Sequence, residues 1–154
     1  MSPSRPTRHN PFHQRGASLL EVLIAVLILA IGMLGVAAMQ SMSLRNSLSA
    51  LERSQATVQT YAIMDAMRAN IADARNNQYN LALAADPCAA PAAGGTLATR
   101  DLNAWINSLQ ATLGPSACGA VACAANVCEI TIRWNDERGT GGDNAQQLIT
   151  RSRI

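Results

Sequence analysis

The chain has 154 residues, 49% hydrophobic, 14% charged and only 3% aromatic, with a formal net charge of +2. That length suits one modest domain and an anchor, and so few large side chains leave a small core of the kind that relies on staples. All twelve basic residues are arginines; removing Arg5, Arg8 and Arg15 with a segment ending at Gly16 leaves nine against ten acids, a net of −1.

Such a product has no general basic field for nucleic acid or anionic lipid. Both histidines, His9 and His13, also precede Gly16. The remainder therefore excludes Ser–His and Ser–Lys nucleophiles and imidazole metal sites.

Residues 1–16 carry Arg, His, Pro and Ser and no acid. A positive start of this kind stays in the cytoplasm. Glu21 then stands at the head of the apolar run Val22 to Met39, which at ~1.5 Å per residue just crosses ~30 Å of hydrocarbon. No small-x-small cleavage site with a polar break follows it, which makes an ordinary cleaved secretory signal the weaker reading, and with Cys88 as the first cysteine there is no lipobox. Gly32 and Gly35 interrupt the run. They read either as glycines tolerated in a membrane helix or as a soft segment able to unwind.

From Gln40 to Asn76 there is no proline or glycine. Leu44, Leu48, Leu51, Val58 and Ala62 follow the helical period, and Tyr61, Met64, Met67 and Ile71 continue it. The pattern predicts one helix from about Ser18 to about Asn76, roughly 85–90 Å at ~1.5 Å per residue. A helix that long cannot be buried in a head of this size, so its first half belongs in lipid or against other chains.

Asn76 to Asn80 stops the helix, and Ala85 to Thr96 reads as a loop pinned by Cys88. Thr99 is expected to cap a short helix whose face is Leu102, Ile106, Leu109 and Leu113, with Trp105 on its flank as core and Gly114-Pro115 as its stop. Cys118 to Cys128 predicts strand, turn and strand. Cys128, Ile130, Ile132 and Trp134 alternate with Glu129, Thr131 and Arg133 as a half-buried antiparallel strand does. Asn135 to Asn144 reads as a polar turn and Gln146 to Ile154 as a last strand.

Cys88, Cys118, Cys123 and Cys128 allow three disulfide connectivities. Pairing Cys123 with Cys128 would close the hairpin and leave Cys88 to reach Cys118, each bridge contributing roughly 2–4 kcal/mol. A four-thiolate zinc site is the rival, but Cys-x4-Cys spacings are not its usual pairs. Asp136, Glu137, Asp143 and Asn144 carry calcium-type donors, but a polar turn is the reading preferred for them. No metal or other cofactor is expected.

Gly16-Ala17-Ser18-Leu19-Leu20-Glu21 and the apolar run resemble the class III signal of type IV prepilins and type II secretion pseudopilins. The run from Glu21 to Gly35, with Met64 to Asn70, Asp101 to Trp105 and Ile130 to Trp134, resembles the minor pilins of the PilV class. The resemblance implies an α+β, type IV pilin-like fold: a long N-terminal helix on a small antiparallel sheet with one short extra helix. Its implied divisions are a cleaved leader at 1–16, a membrane and filament-core half of the helix at 17–39, an amphipathic half at 40–76, and a disulfide-stapled periplasmic head at 77–154. It implies cutting between Gly16 and Ala17, although Ala17 stands where the family usually has Phe, which leaves methylation of the new amine open. An ionised carboxylate at mid-membrane costs about 2.5–3.5 kcal/mol on insertion scales, less near the interface. In the family, Glu21 would meet the amine of a neighbouring subunit as an assembly contact.

The implied function is a non-catalytic minor pilin of type IV pilus assembly or initiation, in a tip or priming complex. It would sit in the inner membrane with its head in the periplasm and then in the surface pilus. The implied partners are other minor pilins, the major pilin, a tip adhesin, the prepilin peptidase and the inner-membrane assembly platform. A type II secretion pseudopilin is the alternative. A DNA-uptake subunit is a third reading, for which Arg100, Arg133, Arg138, Arg151 and Arg153 are the available cations.

Overall fold

The computed structural model describes residues 18–85 and 88–154. The chain divides into two compact units, Met1–Gln40 and Ser41–Ile154. Helix α1 (Leu19–Ala69) supplies the described part of the first unit and the opening of the second. In the first unit no side chain from Ser18 to Gln40 is buried by the chain itself. The helix has the length and composition to cross a membrane.

The second unit continues with α2 (Ile71–Arg75), α3 (Leu97–Leu113), β1 (Cys118–Ala124), β2 (Val127–Trp134) and β3 (Gln146–Arg153). The strands form one antiparallel sheet in the order β1-β2-β3. This is the α+β architecture expected from the sequence: a long N-terminal helix, a short extra helix and a small antiparallel sheet.

Two local expectations need correction. The helix expected to run unbroken to Asn76 is interrupted at Asn70, whose φ of −120° and ψ of 56° leave the helical region. The Asn70 amide is engaged instead with Asp73 Oδ2 at 2.8 Å and the Tyr79 hydroxyl at 3.4 Å. Asn competes with its own helix through such side-chain bonds. The cap of α3 is Thr96 rather than Thr99: Thr96 is extended, and its hydroxyl accepts from the Thr99 N–H at 3.3 Å. Placing Thr99 inside the helix brings Ala98 into the buried face with Leu102, Trp105, Ile106, Leu109 and Leu113.

The sheet alternates as a one-sided sheet must. Val121, Cys128, Ile130, Ile132 and Trp134 are buried on the inner face, where Val121 pairs with Ile130 and Ile132 with the half-buried Leu148. Helix α3 makes the closest approach to that face. A Cβ added at Gly119 would lie 2.3 Å from Cη2 of Trp105 and 2.9 Å from Cδ1 of Leu109. The Trp105 ring is held from its other side, where Nε1 donates to the Gln59 carbonyl at 3.0 Å. One indole thus touches β1 and anchors α1.

In α1, Asn46, Ser49, Arg53, Ala56, Thr60, Ile63 and Met67 follow at alternating steps of three and four, which places them on one side of a 3.6-residue helix. Ala56, Thr60, Ile63 and Met67 are buried in the core. Leu44, Leu48, Leu51 and Val58 occupy the opposite side by the same count and are 46–63% exposed.

Two disulfides staple the head. Cys123 is bonded to Cys128, its direct partner in the β1–β2 register, with Cα atoms 4.0 Å apart. Ala125 and Asn126 close that hairpin with φ of 50° and 64°, the two positive values of a type I′ turn. Cys88 is bonded to Cys118. Cys118 pairs with Arg133 and so lies on the outer face, where Arg133 Nη2 also donates to the Ala84 carbonyl at 2.9 Å. The loop before α3 is therefore tied across that end of the outer face.

Candidate functional site

Gly16 and Ala17 lie outside the described residues. Glu21 occupies the first turn of α1, its N–H donating to the Ser18 carbonyl at 2.9 Å. Ser18 and Glu21 have the spacing of a capping box, and the open N–H groups of a first helical turn favour a carboxylate by about 0.3–1 kcal/mol. That placement is milder for Glu21 than a position within the apolar span. The Ser-x-x-Glu signal for it is present in the sequence. Glu21 is solvent-exposed, and among the described residues no cation forms an ion pair with it.

The acidic turn between β2 and β3 does not gather its donors. The Asp136 side chain is 1% exposed and turns toward α1, where Oδ2 accepts from Ser49 Oγ at 2.6 Å and lies 3.7 Å from Arg53. Glu137 Oε2 instead accepts from Asn135, and Asp143 Oδ1 from the Ala145 N–H. Among the described residues no three His, Cys, Asp or Glu side chains cluster as a metal site. The turn is a clasp: Arg138 reaches Glu52 at 3.4 Å and the Thr140 N–H reaches Asn46 Oδ1 at 3.4 Å. Sequence reasoning missed the burial of Asp136. Its only local signal is the glycine content that lets the turn fold over it, since a Cβ at Gly142 would fall 1.8 Å from the Asp136 carbonyl oxygen.

Among the described residues, Tyr79 is the one strongly perturbed ionisable group. It is fully buried and donates to Asp101 Oδ2 at 2.5 Å. Burial first, and then the Asp101 carboxylate, push its phenol up to about 12. The arrangement holds a neutral tyrosine between α3 and the α1–α2 break, a structural tie from its hydroxyl to the Asp101 carboxylate. The candidate cations are scattered. Arg133 bonds the loop carbonyl of Ala84, Arg138 pairs with Glu52 and Arg151 pairs with Glu129.

Residues 11–37 match the prokaryotic N-terminal methylation motif. The match contains Gly16, Ala17 and Glu21 and ends inside the apolar run. It supports a type IV pilin or pseudopilin, and with the exposed apolar start of α1 it indicates membrane anchoring at that end. A motif of this kind implies cutting by a prepilin peptidase and assembly by pilus machinery. No curated protein and no solved structure matches the chain.

Proposed function

We propose that the chain is a non-catalytic minor pilin of the PilV class, active in type IV pilus assembly or initiation within a tip or priming complex. The observation that carries this reading is the methylation motif at residues 11–37, running directly into a helix that the chain leaves uncovered well beyond it. Lipid can take the first apolar stretch. The row Leu44, Leu48, Leu51 and Val58 continues past it, on the side of α1 opposite the head core, where neighbouring pilin helices would pack.

In this reading Gly16 and Ala17 flank the peptidase cut, and Glu21 meets the α-amine of a neighbouring subunit as the fibre is registered. The inner-membrane platform would load the subunit, whose neighbours would be other minor pilins, the major pilin and a tip adhesin. The head has no catalytic part in it.

The test is piliation of a strain carrying Glu21→Ala. Membrane insertion should persist while surface filaments fall in number, and normal piliation would sink the proposal. A Gly16→Val substitution should leave a precursor longer by the leader. The N-terminal sequence of protein from sheared fibres should begin at Ala17. Loss of protein secretion with intact pili would instead assign the subunit to a type II secretion pseudopilus.

A further inference from the structure

We propose that the free edge of β3 binds one extended segment of another protein, acidic at two positions two residues apart, which joins the sheet as a fourth strand. The two edges of the sheet are treated differently. At β1, Leu81 exchanges both backbone hydrogen bonds with Val121, at 2.8 and 2.9 Å, and Asn80 Oδ1 accepts from the Cys123 N–H at 2.8 Å. Those two residues occupy the edge as a short strand would. At β3, among the described residues, no backbone group pairs with another backbone group on the side away from β2 along a strand of eight residues, and the Arg153 carbonyl accepts only from the neighbouring Ser152 Oγ at 3.3 Å.

An unpaired strand edge is a row of donors and acceptors that templates another strand. Pro and bulges commonly blunt such edges, and β3 has no Pro and pairs with β2 in unbroken register. It is also held in place, because the Ile154 N–H beyond it bonds the Asn126 carbonyl at 3.0 Å. A fixed, unblocked edge loses little conformational freedom when a strand is added.

The exposed residues of β3 name the occupant. Ile149, Arg151 and Arg153 alternate on the outer face, beside Thr131, Glu129 and Val127 of β2. Arg151 is shared with Glu129, and among the described residues Arg153 has no ion-pair partner. With Arg133, that face carries three cations against one acid. Cross-strand neighbours of opposite charge stabilise a pair and like charges oppose it. Acids at alternate positions of an incoming strand would stand beside Arg151 and Arg153, whereas a second copy of this chain would bring another excess of arginine to the same face. The edge would take such a strand whether or not the chain is built into a filament.

The test uses the full chain in non-ionic detergent and three fluorescein-labelled peptides of the length of β3. One alternates Glu with Val, one alternates Lys with Val, and one is the Glu peptide N-methylated at every amide. The Glu peptide should bind saturably, and the other two at least about tenfold more weakly, as expected from losing two cross-strand charge pairs or the backbone ladder. An Arg151→Glu/Arg153→Glu variant changes two exposed side chains and should reverse the preference towards the Lys peptide. Equal binding of the N-methylated peptide would overturn the proposal, as would indifference to charge or no binding of the Glu peptide. Sedimentation without peptide supplies the last arm: dimers that the double variant dissolves would make a second copy the occupant and refute the acidic partner.

Discussion

Gly119→Ala tests whether one indole joins the sheet to both helices. The new methyl carbon would stand 2.3 and 2.5 Å from Cη2 and Cζ3 of Trp105 and 2.9 Å from Cδ1 of Leu109, where ordinary contacts are 3.4–4 Å. Neither neighbour is the free end of a flexible chain: Trp105 is 4% exposed and Leu109 is fully buried. If the ring swings away, its bond to the Gln59 carbonyl breaks and strands a buried N–H, at about 1–3 kcal/mol. If α3 backs off instead, the packing it shares with β1 opens, at about 1–3 kcal/mol for overpacking. Either route, with some of the other, gives a loss of about 2–4 kcal/mol and a Tm lower by about 4–16 °C for a chain of this size. Thermal unfolding of the full chain in detergent, followed by near-ultraviolet circular dichroism, reads that shift. In a Trp105→Phe background the smaller ring should reduce the cost of Gly119→Ala by at least about 1 kcal/mol. A single variant within about 0.5 kcal/mol of the parent, or a strictly additive double variant, would refute the proposed wedge.

Gly142→Ala should release the clasp on α1, since its Cβ cannot coexist with the Asp136 carbonyl oxygen at 1.8 Å. A loss of about 1–3 kcal/mol is expected, with faster amide exchange from Asp136 to Asp143, and unchanged exchange there would contradict the clasp. Tyr79 gives a pH dependence whose sign follows from its raised pKa. Its contribution is fully present below the ordinary value of 10.0 and is lost as pH rises towards about 12, by no more than about 3 kcal/mol. Subtracting the phenolate absorbance of Tyr79→Phe from that of the parent should leave a titration centred near 12, and a midpoint near 10 would refute the buried tie to Asp101. Ala125→Gly should stabilise the hairpin: a left-handed alanine costs roughly 1–2 kcal/mol, and glycine gives back about 0.5–1 in unfolded-state freedom. A net gain of about 0.5–1 kcal/mol in denaturant unfolding is expected, and any loss would argue against the type I′ turn.

Where the sequence was legible, local periodicity matched the final surroundings. Cys128, Ile130, Ile132 and Trp134 alternate and are buried, and Leu102, Ile106, Leu109 and Leu113 follow the helical period and line the buried face of α3. Thr96 and Thr99 show the limit of such signals. Both precede periodic apolar residues, and the choice fell to the packing of Ala98, which no local rule ranks. Asn70 looked like one polar residue in a helical stretch until Tyr79, nine positions on, supplied a partner for its amide. Asp136 is less legible still, because its partner Ser49 lies 87 positions away. At the head of α1, the helix start expected near Ser18 puts Glu21 in the first turn, where it lies, and Gly16 and Ala17 lie outside the described residues.

Periodicity also misleads when a helix carries two stripes. Leu44, Leu48, Leu51 and Val58 are the more obvious row by hydropathy, yet the head sits on the other one, where Asn46, Ser49 and Arg53 lead into Ala56, Thr60, Ile63 and Met67. The turn that reaches α1 at this level explains the choice. It arrives with Asp136, Arg138 and Thr140, groups that bond to Asn46, Ser49, Glu52 and Arg53 and would be stranded against leucine. The polar stripe is therefore satisfied within the chain and the apolar one is left to something outside it. At roughly 25 cal/mol per Å² of apolar surface removed from water, covering such a row is a substantial driving force for association. A row of that kind in direct continuation of an apolar first half is the surface that the proposed packing of neighbouring pilin helices would cover. It is the physical link between the motif at residues 11–37 and the proposed place of this subunit in a fibre.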